Sequence, residues 1–314
     1  MNKTVAEDGL RIGIDLGGTK IEGVLLAPKA GELVRYRVPT PRNDYSATIA
    51  AIVDVKQRLM RDIQTCDKIG VAVPGSVSPV TGLMRNANST WLNGRTFEPD
   101  LAASLDMCVR LDNDANCFAL SEATDGAGKD ARVVFGVILG TGCGGGLVVN
   151  RVLLDGAHRI GGEWGHNPLP WARPDEYPGP KCWCGRRGCL ETWVSGPGMA
   201  ADHARRTGEK HTAKQIAARA MRGDDAANST LSRYADRLAR GLAHVINIVD
   251  PDVLVLGGGL SQISYLYEQL PTLIEPYVFA DQCSVLIKPP RWGDASGARG
   301  AAHLWDICSE GIAH

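Results

Sequence analysis

The residue pair Asn113-Asp114 stands where an apolar strand pattern at 109–111 gives way to a helix pattern near Ala115. Such strand-to-helix junctions are where α/β folds present reactive side chains. A carboxylate at this place can accept the proton of an alcohol while the alcohol oxygen attacks phosphorus. The position equally suits a carboxylate, Asp112 or Asp114, that only caps the helix. The pair by itself leaves both interpretations open.

Three glycine-rich turns, each directly after an apolar segment, are candidates for holding phosphate groups. They span residues 17–18, 140–146 and 257–259. Because glycine has no Cβ, the N–H groups of such turns can approach a phosphate closely. Around the first turn, Asp15 offers a carboxylate for Mg²⁺, Thr19 a hydroxyl and Lys20 a cation. A single turn is equally typical of a plain β-hairpin, and the first matches neither a Walker A loop nor a dinucleotide fingerprint. Three turns together favour a nucleotide site.

A second kind of chemistry, metal binding, is indicated by Cys182, Cys184 and Cys189, with His166 upstream. Three thiolates and an imidazole are enough for a closed tetrahedral zinc site, which would be structural because no coordination position stays open. In a cytosolic protein a metal explains such a cluster better than a disulfide does. His166 is separated from Cys182 by 15 residues, so spacing alone does not decide whether it joins the thiols.

Arg186 and Arg187 lie between these cysteines, and a basic pair in a cysteine loop can also indicate a zinc ribbon that binds nucleic acid. The chain, however, has a formal net charge of −1 and therefore no basic field of the kind that attracts a phosphate backbone. A second Cys-x-x-Cys knuckle is also missing from the sequence. We expect no nucleic-acid partner.

The composition, 44% hydrophobic and 22% charged, is that of an ordinary globular protein. No segment approaches the roughly 20 apolar residues of a membrane span, and residues 1–9 have no apolar core of a signal peptide. We expect a cytoplasmic protein without a membrane partner. The cysteines outside the cluster stand singly among apolar residues, and buried reduced thiols are expected at Cys66, Cys108, Cys117, Cys143, Cys283 and Cys308.

Elements that would position these residues follow from the apolar periodicity. The pattern predicts strands at 11–15, 21–26, 69–73, 109–111, 133–139, 147–149 and 253–256, helices at 46–63, 228–249 and 298–308, and an ordered proline-rich loop at 168–180. A strand, a glycine-rich turn and a second strand occur twice, which predicts two similar domains that face each other across a cleft. At 314 residues the chain is long enough for both.

The combination of motifs resembles the ROK family (repressor, open reading frame, kinase). The resemblance runs over residues 11–305 through Asp-Leu-Gly-Gly-Thr-Lys, Asn-Asp-Ala-Asn-Cys, Gly-Thr-Gly-Cys-Gly-Gly-Gly, Glu-Trp-Gly-His, Cys-x-Cys-Gly-x-x-Gly-Cys-x-Glu and Val-Leu-Gly-Gly-Gly. It implies an α/β, two-domain, actin-like (ribonuclease-H-like) ATPase fold with a zinc loop in the second domain. The expected division is residues 1–118 plus a C-terminal helix at about 298–314, and residues 119–297.

The resemblance also assigns roles to residues. Asp114 matches the family's catalytic base, and the residues matching the sugar pocket are Gly75, Asn88, Asn113, Glu163, His166 and Glu191. Those matching the ATP and Mg²⁺ sites are Asp15, Gly17, Gly18, Thr19, Lys20, Thr141, Gly142, Gly258 and Gly259. His166, Cys182, Cys184 and Cys189 match the ligands of a structural Zn²⁺ ion.

What the resemblance implies is an ATP-dependent hexose kinase, since segments 73–79, 86–94 and 165–171 look most like bacterial fructokinases of the mannokinase type. Fructose is the first expected substrate, then mannose and glucose, then an N-acetylated hexosamine; a sugar-sensing protein without turnover is the alternative. A homodimer is expected by resemblance alone. The first phosphate loop begins at Asp15, so we do not expect the helix-turn-helix domain of the family's repressors.

Overall fold

The computed structural model describes residues 9–28, 31–61, 63, 66, 68–282 and 284–306. In the first part of the chain the elements are β1 (Arg11–Leu16), β2 (Lys20–Ala27), β3 (Gly31–Pro39), α1 (Tyr45–Leu59), β4 (Lys68–Val73), β5 (Ser76–Val77), β6 (Met84–Arg85), α2 (Phe97–Leu105), β7 (Cys108–Asn113) and α3 (Asp114–Thr124). Five of the strands form one sheet in the order β3-β2-β1-β4-β7. Strands β1 to β3 are antiparallel, whereas β4 and β7 run parallel to β1.

The second part repeats this plan. Its elements are β8 (Val133–Leu139), β9 (Cys143–Val149), β10 (Val152–Leu153), α4 (Glu191–Val194), α5 (Gly196–Thr207), α6 (Ala213–Ala220), α7 (Asp225–Val249), β11 (Val253–Gly257), α8 (Ser264–Ile274), β12 (Leu286–Lys288) and α9 (Ser296–His303). Its sheet has the order β10-β9-β8-β11-β12, again with three antiparallel and then two parallel strands. The duplication predicted from the two glycine turns is confirmed, and with it the two-part α/β architecture.

Helix α3 lies where the two halves meet. Cys117 and Phe118 of α3 share one apolar cluster with Val134 of β8, Val255 of β11 and Ala301 of α9. Helix α3, which begins at Asp114, is therefore packed against β8, β11 and α9.

Helix α9 packs unusually close to its neighbours, and two glycines permit it. A Cβ added to Gly70 of β4 would lie 1.8 Å from the carbonyl oxygen of Ala301, and one added to Gly300 would lie 1.6 Å from that of Cys117. Any side chain at either position would push α9 away from β4 or from α3. The alanine and glycine content of α9 thus reflects close helix packing.

Several predicted boundaries are corrected. Strand β3, which continues the first antiparallel unit, is absent from the predicted strands; it is an edge strand paired with β2, and its residues are half-buried or exposed. The glycine-rich turn predicted at 140–146 ends at Gly142, since residues 143–149 are strand. Gly145 and Gly146 lie in that strand, and only glycine fits at these two positions because Trp164 and α3 leave no room for a Cβ. Helix α1 ends at Leu59, and α7 starts at Asp225 after the cap Asp224.

Among the single cysteines, Cys117 and Cys143 are buried as expected, Cys66 is half-buried, and Cys108 is exposed at the start of β7, contrary to expectation. The expectations for Cys283 and Cys308 lie outside the described residues. Within the described segments we find no helix with the length and apolar character needed to cross a bilayer.

Candidate active site

The junction between β7 and α3 is built by three consecutive polar residues with separate tasks. Asn113 is the N-cap of α3: its Oδ1 accepts from the Ala115 N–H at 2.9 Å, while its Nδ2 donates to the carbonyl oxygen of Gly75 at 3.1 Å. Asp112 instead accepts from the Asn113 N–H and from Asn116 Nδ2, both at 2.7 Å. Asn113 is therefore the cap residue, and Asp114, the first residue of α3, shares the Ala115 N–H through its Oδ1 at 2.8 Å.

Asp114 is an exposed residue, but neighbouring protein atoms partly desolvate its carboxylate. This desolvation raises the pKa of Asp114 to about 6, against the hydrogen bond from the Ala115 N–H that lowers it, and the negative charge of Glu163 raises it further. A carboxylate with such a pKa is ionised at neutral pH yet is a stronger base than an ordinary aspartate. The electrostatics suit proton abstraction.

Asp15, at the end of β1, is electrostatically coupled to Asp114. Burial and then the charge of Asp114 raise the pKa of Asp15 to about 7. Two carboxylates that disfavour each other's ionisation are a typical setting for a divalent cation, which would relieve the repulsion. The structure thus brings together the predicted magnesium residue in β1 and the predicted base at the start of α3, directly after β7.

The first glycine turn is fixed by residues that sequence reasoning missed. The Gly17 N–H donates to the carbonyl oxygen of Lys20 at 3.0 Å and closes the turn. Thr40 Oγ1 donates to the Gly17 carbonyl at 2.7 Å, and Arg42 Nε donates to that of Gly18 at 3.2 Å. The loop after β3 therefore supports the turn from outside, which leaves Gly18 and Thr19 exposed.

Lys20 starts β2, and its ammonium group lies 3.2 Å from Asp294 Oδ2 and 3.3 Å from Glu22 Oε2. Asp294 belongs to a short 3₁₀ turn at Gly293–Ala295, immediately before α9. The predicted phosphate cation is thus held by two carboxylates in this structure.

The second glycine turn, Gly140 to Gly142, joins β8 and β9, with Thr141 exposed. It is tied to the zinc-type loop, because the adjacent Cys143 N–H donates to Glu191 Oε2 at 3.0 Å. The third turn follows β11: Gly258 and Gly259 are both exposed, and Gly259 starts a 3₁₀ turn. The first two turns lie in different halves of the molecule.

On the predicted sugar side, Glu163, His166 and Glu191 come together although 27 residues separate the first from the last. Burial raises the pKa of Glu163, His166 opposes this rise, and the charge of Glu191 adds to it. Glu191 is the first residue of α4, and Trp183 Nε1 donates to its Oε1 at 2.7 Å. Trp183, between two of the clustered cysteines, is therefore a direct partner of a predicted sugar residue.

Asn88 lies in a loop that internal hydrogen bonds hold in place. Gly75, which anchors Asn113, has φ +78°, and a Cβ there would lie 2.3 Å from the carbonyl oxygen of Arg85, so no other residue fits. The Asn93 side chain accepts from the Ala87 N–H at 2.9 Å and donates to the Ala87 carbonyl oxygen at 3.0 Å. The neighbouring Asn88 is exposed. Neither Asn93 nor Arg85 was singled out from the sequence, because their partners only become visible in the folded loop.

The four predicted zinc ligands form one cluster. One nitrogen of His166 and the sulfurs of Cys182, Cys184 and Cys189 all lie within 4.8 Å of one another. His166 Nδ1 lies 3.6 Å from Cys182 Sγ, and the sulfurs of Cys184 and Cys189 are also 3.6 Å apart. Four soft donors at these separations match a tetrahedral zinc site, in which Zn–S bonds are about 2.3 Å long. The cluster could hold a zinc ion, and it includes His166, which spacing alone left undecided.

The proline-rich loop that separates His166 from Cys182 is anchored by a buried ion-pair network. Glu176 accepts from Arg240 through both carboxylate oxygens, at 2.8 and 2.9 Å, and from Arg237 at 2.8 Å. Burial alone would raise the pKa of Glu176, but the hydrogen bond from Arg240 and its other partners lower it to about 2. Arg240 also donates to the carbonyl oxygens of Pro170 and Trp171. The loop is thus fastened to α7.

Comparisons with known proteins agree with this arrangement. The family model described as "ROK family" matches residues 11–307. An N-acetyl-D-glucosamine kinase from Pectobacterium atrosepticum is 38% identical over 300 residues, which cover 94% of this chain and 99% of that protein.

Among solved structures, a ROK hexokinase from Thermus thermophilus superposes with a TM-score of 0.83 at 28% identity, covering 93% of this chain and 96% of that one. A ROK family glucokinase from Streptomyces griseus, in complex with glucose and AMPPNP, has a TM-score of 0.77 at 25% identity, covering 94% of this chain and 99% of that one. The chain belongs to the ROK family.

Proposed function

We propose that this protein is an ATP-dependent sugar kinase that phosphorylates a hydroxyl of N-acetyl-D-glucosamine, with Asp114 as the general base. The observation that carries the proposal is the position of Asp114, whose carboxylate is coupled to Asp15 of β1, just before the first glycine turn, and to Glu163, three residues before the candidate zinc ligand His166. A base between a phosphate-binding turn and a sugar-binding loop is what transfer from a nucleotide to a sugar requires.

In the proposed reaction Asp114 takes the proton of the attacking sugar hydroxyl while the γ-phosphoryl group leaves ADP. Asp15 would hold Mg²⁺, which neutralises phosphate charge when bound. The N–H groups of the turns at Gly17-Gly18 and Thr141-Gly142 would bind the phosphates of ATP, and Gly258-Gly259 the adenosine side. Closure of the two halves around both substrates would exclude water and limit ATP hydrolysis.

The zinc-type cluster has a defined part in this proposal. His166 turns Nδ1 towards the thiols, so its Nε2 is left for a sugar hydroxyl. Cys189 lies two residues before Glu191, and His166 three residues after Glu163. A bound Zn²⁺ would hold both glutamates in place, and the metal would act on sugar recognition through them.

The proposed substrate differs from the one expected from short sequence motifs. Fructose was the first expectation, yet an N-acetyl-D-glucosamine kinase from Salmonella typhimurium is 39% identical over 297 residues. The relatives support the N-acetylated hexosamine, which ranked last. Glucose is the second candidate, because the Streptomyces neighbour of the same fold is in complex with it.

A coupled ADP-release assay with N-acetylglucosamine, N-acetylmannosamine, glucose, mannose and fructose tests the proposal. We expect the highest kcat/KM for N-acetylglucosamine. A higher value for fructose would restore the first expectation, and hexose binding without ADP release would identify a sugar sensor instead. Domain boundaries at 118/119 and 297/298, a homodimer and a cytoplasmic location remain part of the proposal, to be tested by limited proteolysis, light scattering and cell fractionation.

A further inference from the structure

A second group of metal-type side chains lies outside the site described above, where α5 leads into the loop before α6. One ring nitrogen each of His203 and His211 and one carboxylate oxygen of Glu209 lie within 4.8 Å of one another. His203 is fully buried, His211 is half-buried and Glu209 is exposed. The group is therefore closed on the side of the core and open on the side of the solvent.

The tautomer of His203 follows from its neighbour on α7. Thr230 Oγ1 lies 2.9 Å from His203 Nδ1 and 2.9 Å from the carbonyl oxygen of Ala226. A carbonyl oxygen can only accept, so the hydroxyl proton of Thr230 points to Ala226 and His203 Nδ1 must donate. Burial, and then the neighbouring His211, lower the pKa of His203, which favours the neutral ring. The lone pair of the ring is consequently on Nε2.

His203 Nε2 is buried and has no hydrogen-bond partner in the part of the chain that the structure describes. Buried polar atoms of native proteins nearly always have a partner, and an exception needs an explanation such as an ion. A neutral imidazole that donates its other N–H to a fixed acceptor is the usual state of a metal-binding histidine. His203 is thus prepared as a ligand by Thr230.

The surroundings of His211 point in the same direction. Its Nε2 lies 2.9 Å from Glu209 Oε2 and 2.8 Å from Arg219 Nη1. One nitrogen can donate to the carboxylate or accept from the guanidinium, but it cannot do both. Arg219 can release His211, because Asp224 accepts from its Nε at 2.8 Å and lies 2.6 Å from its Nη2. Arg219 Nη2 also lies 3.4 Å from Glu209 Oε2, so a metal ion between His211 and Glu209 would replace Arg219 as the positive partner of both groups.

We propose that His203, Glu209 and His211 bind a divalent transition-metal ion, with Zn²⁺ as the expected species, at a site separate from the cysteine cluster. Two imidazoles and one carboxylate are a known ligand set for zinc with an open fourth position. The ion would fasten the C-terminal part of α5 to the following loop. The other end of α5 is joined to the second glycine turn, since the Gly196 N–H donates to the Gly140 carbonyl at 2.8 Å.

The test is a zinc stoichiometry measured on the whole protein by equilibrium dialysis and elemental analysis. We expect Glu209→Gln and His211→Ala each to bind one equivalent less than the wild type, and the neighbouring surface variant Lys210→Ala to bind as much as the wild type. Both test positions are at least partly exposed, so the variants spare the buried His203. Equal zinc content in all four proteins would overturn the proposal.

Titration with Co²⁺ separates the two sites without any measurement of activity. Cobalt at the cysteines gives a near-ultraviolet thiolate charge-transfer band, which a site made of histidine and glutamate lacks. We expect one equivalent of Co²⁺ to add visible absorption without that band in the wild type, and this component to vanish in His211→Ala. If all bound Co²⁺ contributes to the thiolate band, the second site does not exist.

Discussion

Trp183 and Glu191 are joined by a hydrogen bond of 2.7 Å from the indole Nε1 to Oε1 of the carboxylate. The other oxygen of Glu191 accepts from the Cys143 N–H, next to the second glycine turn. Trp183 also stands between two cysteines of the zinc-type cluster, with its ring edge-on to His166 at 4.9 Å. One carboxylate therefore links the candidate metal, sugar and nucleotide regions.

The first prediction concerns this hydrogen bond. Trp183→Phe keeps an aromatic ring against His166 but removes the donor to Glu191. Loss of a hydrogen bond of this kind costs about 1 kcal/mol, or about fivefold in kcat/KM. We expect the loss mainly in the KM for the sugar, with the KM for ATP and the zinc content unchanged. A variant that loses zinc would show instead that Trp183 serves the metal cluster.

Asp114→Asn should remove nearly all turnover, because an amide cannot accept the proton of the sugar hydroxyl. General-base catalysis contributes about 10²- to 10⁴-fold, and we expect kcat to fall within that range. Helix α3 should form normally, since its cap is Asn113. Sugar-dependent ADP release by the variant is compared with that of the exposed control Asp130→Asn; near-normal release by Asp114→Asn would exclude Asp114 as the base.

The pH dependence of kcat/KM should report Asp114. The base is active when ionised, and its pKa is raised to about 6, so activity is lost as the pH falls through that value and is constant well above it. Glu163→Gln removes a negative charge that raises the pKa of Asp114, and the midpoint of the remaining activity should move to lower pH. The profiles are measured at saturating Mg²⁺. A midpoint near the ordinary aspartate pKa, or a midpoint that is the same in Glu163→Gln, would contradict this assignment.

Cys184→Ser should weaken zinc binding by at least about tenfold, because a hydroxyl is a poor ligand for a site otherwise built of thiolates and imidazole. If the metal holds Glu163 and Glu191, kcat/KM for the sugar should fall in parallel with the zinc content. Cys108→Ser, at an exposed cysteine outside the cluster, is the matched control. Full activity of a zinc-free Cys184→Ser protein would separate the metal from sugar recognition.

Arg240→Leu should destabilise the protein by roughly 3–5 kcal/mol, since it leaves buried carboxylate charge without its main partner. Arg240 is fully buried and contacts Glu176, Asp236 and two carbonyl oxygens of the proline-rich loop. Arg222→Leu, at an exposed position, should be nearly neutral. Urea unfolding at neutral pH measures both; a change below about 1 kcal/mol in Arg240→Leu would mean that Arg237 alone holds Glu176.

Local patterns predicted much of the fold and of the candidate site. The glycine turns, the strand-to-helix junction at Asn113-Asp114 and the cysteine spacing depend on residues close in sequence, whose conformations follow from backbone sterics and short-range periodicity. The repeat of the strand, turn and strand pattern was enough to predict two similar sheets. Strand β3 was not among the predicted strands, although Val34-Arg35-Tyr36-Arg37-Val38 alternates between apolar and basic residues.

The preference for fructose illustrates a different limit. It depended on short segments that resemble one branch of the family, whereas relatives over nearly the whole chain support an N-acetylated hexosamine. Discrimination between similar sugars amounts to a few kcal/mol of differential contact at the site. Short motifs do not encode contacts that several loops make together.

The sequence by itself determined the chemistry available to this protein: a carboxylate at a strand end, backbone donors in glycine turns, and three thiols in one loop. Only the tertiary structure decided which groups meet. It made Asn113 the cap of α3 and brought Asp114 close enough to Asp15 and Glu163 for their charges to interact. It also joined Trp183 to Glu191 by a hydrogen bond, and it placed His203 beside His211, with His203 Nδ1 next to the Thr230 hydroxyl. The reason is physical, because hydrogen bonds and charge interactions act over a few ångströms, and only folding brings residues far apart in sequence within that distance.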